Sequence, residues 1–412
     1  MIKKTKWLIV YPFVMLLLQQ ALLNYSSGIV YNVLNYFDEL YIIFLWMAAI
    51  KKNSGKIYLH GEQMILILTI IWVGLGLISN IGNKYQTVGY AISDSFICMK
   101  FSLIYLGIRQ YVRNNKENEA TILELYKFCK WFIVISFCLA LINIMFPIFP
   151  WGDYRYFMHA IMLFFPHPTY LAIAAITATC VIIAKQSIQV EKKDMIYIIQ
   201  GLLIASFTLR SKAVAGAICI VFVYLYYIKM KIKNKFVAAT MAFAIGVATG
   251  YDQIVFYFSG NSKYDLNFVR ERLLFDSIKI ANRFFPFGSG FGTFASNIAA
   301  KHWSSLYDEY NYVYGPFLSD SFWPIVVAQT GWIGLVFFVL IIMFFVTEVL
   351  KLQKINIYLF WAGISIILYE LICSVAESAF FNPAVCPLFI LMGLIINQEE
   401  HYKKACDVQV RK

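Results

Sequence analysis

The chain is written as long apolar runs with short polar punctuation between them, and that rhythm predicts helices that cross a bilayer. A hydrocarbon core about 30 Å thick takes roughly 20 apolar residues in helical form, and such runs recur from around Trp7 to around Ile396. The pattern predicts spans over 7–23, 29–50, 62–79, 91–111, 128–147, 168–184, 195–209, 213–228, 236–252, 322–347, 356–375 and 383–396, twelve in all. The expected fold is an all-α polytopic membrane protein of about 12 transmembrane helices, a single integral membrane domain over 1–412. Between spans 9 and 10 it carries a large extracytoplasmic loop, 251–321, far longer than an ordinary connection. That loop is rich in Phe, Tyr and Trp and lacks Ser, Pro or Gln runs, so it is expected to fold. A smaller outer segment from Phe146 to Tyr170, aromatic and broken by prolines, is expected to be ordered as well.

Composition agrees: 60% of residues are hydrophobic and 14% charged, and the mean hydropathy is +0.67. The charge, 35 Lys and Arg against 23 Asp and Glu, is +12 net. With the N-terminus inside, Lys51, Lys52, Arg109, Arg113, Lys185, Lys192, Lys193, Lys229, Lys351 and Lys354 all fall on the cytoplasmic side, as do both termini. The basic excess is thereby read as topology and contact with anionic membrane lipids, with no nucleic-acid partner. Lys3, Lys4 and Lys6 read as a cytoplasmic anchor before a retained first helix. The eight cysteines lie in spans or on the inner side, which implies no disulfide framework. His159, His167 and His302 are the outer histidines, and no HExxH or DxD pattern joins them, so neither a metal nor another cofactor is expected.

A few cations escape the topological explanation. Arg210 and Lys212, in FTLRSKAVAGA, interrupt an apolar stretch and leave a very tight turn between two helices. A guanidinium at membrane depth costs at least about 2.5 kcal/mol unless paired or solvated, which makes Arg210 a candidate functional residue. Arg155 also lies outside, and His167 stands between two prolines in FFPHPTY. Asp38 and Glu39 sit inside the second span and are expected to pair with a cation such as Lys100.

In NFVRERLLFDSIKIANRFFPFG, a step of about 100° per residue places Arg270, Leu274, Ser277 and Ala281 on one face and Arg272, Asp276, Lys279 and Arg283 on the opposite one. The second set reads as a solvated stripe, so Arg270 is the stronger candidate for ligand contact and Arg272 the weaker. The helix runs into FPFGSGFGTF, where Gly288, Gly290 and Gly292 could turn backbone amides outward toward a ligand, or could simply reverse the chain.

These segments resemble the O-antigen ligase and polymerase superfamily, most closely the Wzy-type repeat-unit polymerases of capsule and O-antigen assembly. The matching pieces are the LRSKA turn with Arg210 and Lys212, the helix with Arg270 leading into PFGSGFGTF, and FLSDSFWPIVVAQTGWIGLVFF, together about 146–340. Where the ligase branch carries a His-Asn pair before an apolar run, this chain has Asp320, eleven before Gly331, a departure that favours polymerase over ligase. The resemblance implies a GT-C-like glycosyltransferase acting without a metal on the outer face of a bacterial cytoplasmic membrane. Its substrate would be a polyprenyl-diphosphate-linked oligosaccharide, and a chain-length regulator and a flippase would be further partners. In that frame Asp320, Arg210 and Arg270 are the catalytic candidates, and Lys212, Arg155, His167, Arg272, Gly288, Gly290 and Gly292 the substrate-binding ones. Trp151, Tyr154, Trp303, Tyr307 and Tyr310 would suit the apolar faces of sugars. A ligase-type glycan transferase and a lipid-linked oligosaccharide flippase are the alternatives.

Overall fold

The computed structural model describes residues 5–58, 62–155, 158–230, 266–315, 318–319, 321–375 and 377–410, the side chains of 266–268 and 399–410 excepted. Apolar helices dominate it. In chain order they are α1 (Lys6–Asn24), α2 (Gly28–Asn35), α3 (Phe37–Lys52), α4 (Gln63–Asn83), α5 (Val88–Tyr111) and α6 (Asn115–Met145). A hairpin follows, β1 (Trp151–Arg155) antiparallel to β2 (Met158–Ile161), with an irregular register between Trp151 and Tyr154. Then come α7 (Pro168–Lys185), α8 (Asp194–Phe207), α9 (Ser211–Lys229), α10 (Leu266–Arg283), α11 (Asn297–Lys301) and α12 (Ser305–Glu309). The chain ends with α13 (Phe322–Leu352), α14 (Ile357–Cys373), two 3-10 turns (Ala379–Phe381 and Pro383–Val385) and α15 (Cys386–Val410).

Among the described residues seven helices are long and apolar enough to cross a membrane, or eight if the pair α2 and α3, bent by 54°, is one span. Three of the twelve expected spans appear as shorter apolar helices: α8, α14 and the segment Pro383–Gln398. At 1.5 Å per residue the 14 residues of α8 reach about 21 Å, short of a 30 Å core. The expected span 236–252 lies outside the described residues, as does the stretch 251–265 of the large loop. The protein is thus a polytopic, all-α membrane protein.

The bundle has two unlike ends. One end is basic, with Lys52, Arg109, Lys185 and Lys351 at helix termini. The other carries the hairpin and the loop segment between α10 and α13. Helix α7 runs through the middle, packed against α6, α8, α9 and α14, and every one of its residues but Tyr170 is buried. Alanines along it and Gly201 of α8, set directly over Thr179, allow the close approach.

Several charges inside the bundle are paired, as burial favours. Lys100 of α5 lies 2.5 Å from both Asp38 and Glu39 of α3, the pairing expected from sequence, and Gln19 of α1 donates to Asp38 at 3.3 Å. At the basic end Arg109 pairs with Glu62 at 2.6 Å and Lys185 with Asp194 at 2.8 Å. Replacing Lys100 with Met would leave two carboxylates at the joint of α2 and α3 without their counterion. The expected cost is about 3–5 kcal/mol, read as a lower melting midpoint in detergent. An unchanged midpoint would mean the pair contributes nothing to the bent span.

Helix α13 is broken at Gly331, whose φ of 63° and ψ of −167° separate 322–330 from 332–352. The break opens helical carbonyls, and the loop closes them. Ser289 donates its amide to Ala328 O at 2.8 Å, Gly290 donates to Gln329 O at 2.9 Å, and Ile333 donates to Pro286 O at 3.3 Å. Phe291, buried, inserts edge-on against Trp72 of α4 with ring centres 5.3 Å apart, over the bare Cα of Gly76. The large loop is therefore sewn into the bundle at this point.

Candidate functional site

Four elements meet at the loop end around Arg210. Leu209, at a positive φ of 51°, closes the tight turn between α8 and α9, and Arg210 occupies the position before the first residue of α9. The residue is 8% exposed, and its guanidinium is held from two sides. Nη2 lies 3.1 Å from Asp153 Oδ2 on β1 and 2.7 Å from His167 Nε2, in the position before α7. Arg155 reaches the same Asp153 carboxylate at 3.5 Å. Lys212, one residue into α9, pairs with Glu377, which also accepts from Thr169 Oγ1 at 3.2 Å. Gly152 holds the hairpin down, since a Cβ there would stand 2.6 Å from Pro168 Cγ.

The cluster holds three permanent cations, Arg155, Arg210 and Lys212, against two carboxylates, Asp153 and Glu377. The starts of α7 and α9 add the positive ends of two helix dipoles. Asp153 has 60% of its side chain exposed, whereas Arg210 has 10% of its own. An arriving anion can therefore displace the exposed carboxylate while the guanidinium stays in place, and a guanidinium offers a planar fork that matches phosphate.

His167 faces two donors. A guanidinium has no acceptor, so the 2.7 Å contact needs the Nε2 lone pair, while the Thr169 amide points at Nδ1 from 3.3 Å. A neutral ring has one lone pair to offer, and the shorter contact is better placed to take it. Partial burial, then the charges of Arg210 and Lys212, push the pKa of His167 down from 6.5 to about 4. The folded protein therefore binds less proton at His167 than the unfolded chain does between those values, and its stability falls as pH drops through that window. Thermal midpoints measured from pH 6.5 down to about 4 should fall less steeply in His167→Gln than in the parent. Parallel slopes would mean His167 does not titrate there.

The other sequence candidates fall in different places. Gly288, Gly290 and Gly292 do not turn their amides outward. Gly288 donates to Phe284 O at 3.0 Å, Gly290 to Gln329 O at 2.9 Å and Gly292 to Asp94 Oδ2 at 2.8 Å, and all three residues are buried. Their missing side chains serve backbone packing: a Cβ on Gly290 would lie 2.4 Å from the Cα of Asn80. On α10, Ser277 and Ala281 are buried, as the helical spacing predicts, while Arg270 and Arg272 are both half-buried. The opposite face is the expected solvated stripe only in part: Lys279 and Arg283 are exposed and Lys279 pairs with Asp276 at 2.8 Å, but the rest of that face is covered. Asp276 is 4% exposed and accepts from Tyr312 Oη at 3.0 Å. Arg272 stacks 4.2 Å from the Tyr312 ring and donates to the carbonyls of Tyr310 and Asn311. Arg272 thus pins the loop against α10. Among the aromatic residues suggested for sugars, Tyr307 is wholly buried and its hydroxyl accepts the Ala295 amide, while Tyr154 is 62% exposed. Asp320 lies outside the described residues. No group of three or more His, Cys, Asp or Glu able to hold a metal occurs among the described residues.

Sequence reading missed Asp153 and Glu377. The signal was available: WGDYR and VAESAF each place an acid in an outer segment, and a nearly buried arginine must find a counterion. Neither the comparison with protein families nor that with curated proteins finds a match to this chain.

Proposed function

We propose that the chain is a glycosyltransferase, a polymerase that joins polyprenyl-diphosphate-linked oligosaccharide repeat units on the outer face of a bacterial cytoplasmic membrane. The observation that supports this reading most is the Arg155, Arg210 and Lys212 cluster at the starts of two apolar helices, beside one displaceable carboxylate. In a repeat-unit transfer the bond from the sugar to the diphosphate breaks, and the new glycosidic bond forms to a hydroxyl of the acceptor. Negative charge grows on the leaving diphosphate, and fixed cations stabilise it without a metal. The isoprenoid tail belongs in the apolar surface between helices, and the exposed hairpin with Tyr154 belongs beside the sugars. Arg270 and Asp320 remain candidates for a second phosphate contact and for the acceptor hydroxyl.

A deletion strain examined for lipid-linked glycan tests the reading. Loss of the polymer ladder with single repeats retained is the expected result. Accumulation of full-length polymer on the lipid carrier would point to a ligase, and retention of unextended repeats on the inner face to a flippase. The basic end is expected to be cytoplasmic, with both termini. A single cysteine introduced at Asn311 of the loop should react with an impermeant maleimide in intact cells. Reaction only after lysis would invert the topology and remove the site from the outer face.

A further inference from the structure

Away from the Arg210 cluster, α14 carries an acid that the proposed transfer does not use. Glu370 is fully buried, and neither carboxyl oxygen has a hydrogen-bond partner. It borders a cavity of about 10 Å³, room for a single water. Facing it across that cavity are Ile342 and Phe345 of α13, Phe380 of the first 3-10 turn, and Phe389 and Met392 of α15, none of them ionisable. On its own helix the titratable neighbours are Tyr369 and Cys373. Cys180 of α7 acts on Tyr369, and Lys212 of α9 acts on Cys373. None of these is a counterion bonded to Glu370.

An ionised carboxylate without a bonded partner is untenable in such a wall, and a purely packing role is filled better by Leu or Met. An acid kept inside an apolar helix bundle of a membrane protein is by default a functional group. We propose that Glu370 is a proton-binding site within the helix bundle, a carboxylic acid held neutral by its apolar surround and able to release its proton when water enters the adjoining cavity.

Such a site has a characteristic reaction. An apolar carbodiimide dissolves in the bilayer and meets the neutral acid there. The carboxyl O–H adds across one C=N bond, the oxygen bonding to the central carbon and the proton going to nitrogen. The O-acylisourea then shifts its acyl group from O to N and leaves a stable N-acylurea. Nothing leaves and nothing is oxidised, so the peptide gains the mass of the whole reagent.

The experiment treats the full-length protein in native membranes at neutral pH with dicyclohexylcarbodiimide and maps the adduct by mass spectrometry. The expected adduct is on Glu370, with at least a tenfold drop in total labelling for Glu370→Gln and no adduct there from a water-soluble carbodiimide. Labelling should persist well above the range near pH 4 to 5 where exposed glutamates ionise, and should decline as the medium is made strongly alkaline. The wild-type map alone decides the matter if the variant fails to fold. An unmodified Glu370, equal reaction with the water-soluble reagent, or labelling that does not change with pH would each overturn the proposal.

Discussion

Arg210→Lys is expected to reduce polymer formation at least about 100-fold, in the range seen when one preorganised donor to a developing oxyanion is removed, while leaving the amount and melting of the protein nearly unchanged. Lysine keeps the charge and can still pair with Asp153. It cannot contact His167, Asp153 and an incoming phosphate with one rigid plane, because an ammonium is a point charge on a flexible stem. The measurement is the length distribution of lipid-linked glycan in cells carrying equal amounts of parent and variant. A normal ladder would show that a point charge suffices there. Loss of the protein itself would make Arg210 a structural residue of the turn between α8 and α9. Asp153→Asn, by contrast, removes the competitor for the guanidinium and should not shorten the ladder.

Gly290→Ala is expected to abolish folding, at a cost of about 5 kcal/mol or more. Its φ of +102° disfavours any side chain, and the new Cβ would fall 2.4 Å from both the amide nitrogen and the Cα of Asn80. Those are backbone atoms of α4, so no rotamer change relieves the overlap. Size-exclusion chromatography in detergent reads the result as loss of the monodisperse peak, with Gly82→Ala, in open space, as the control. A monodisperse Gly290→Ala protein with parental melting would contradict the close approach of loop and helix.

The helical, membrane-embedded character was legible because apolar run length alone nearly decides it, and the Lys100 pairing with Asp38 and Glu39 followed from the need to neutralise charge inside a span. Span number was less legible. Hydropathy cannot tell a crossing helix from a short apolar one such as α8 or α14, both of which owe their burial to neighbours. The tight turn at Arg210 was readable from a charge interrupting an apolar run. Its contacts were not, because Asp153, His167 and Glu377 lie far off in sequence and converge through helix packing. The spacing of α10 put Ser277 and Ala281 in the interior, as found, but took Arg272 and Asp276 for surface residues, since periodicity cannot foresee the turn at Tyr310 to Tyr312 that covers them. The glycines of PFGSGFGTF were noticed for the right property, freedom from a Cβ, with a ligand or a chain reversal as the two readings, and the neighbours that need that freedom are the helices α4 and α13.

The hydrogen bonds that join the loop to the interrupted α13 also limit how this protein can be taken apart. The carbonyls that receive the amides of residues 289–291, those of Ala328, Gln329 and Gly76, belong to helices that need a bilayer or detergent. A soluble fragment cut from the outer loop would lack the helix carbonyls that fix residues 289–291 and the aromatic slot that receives Phe291. Antibodies or inhibitors raised against such a fragment would recognise an unfolded peptide. Reagents meant for the native surface have to be selected on the intact protein in a nanodisc.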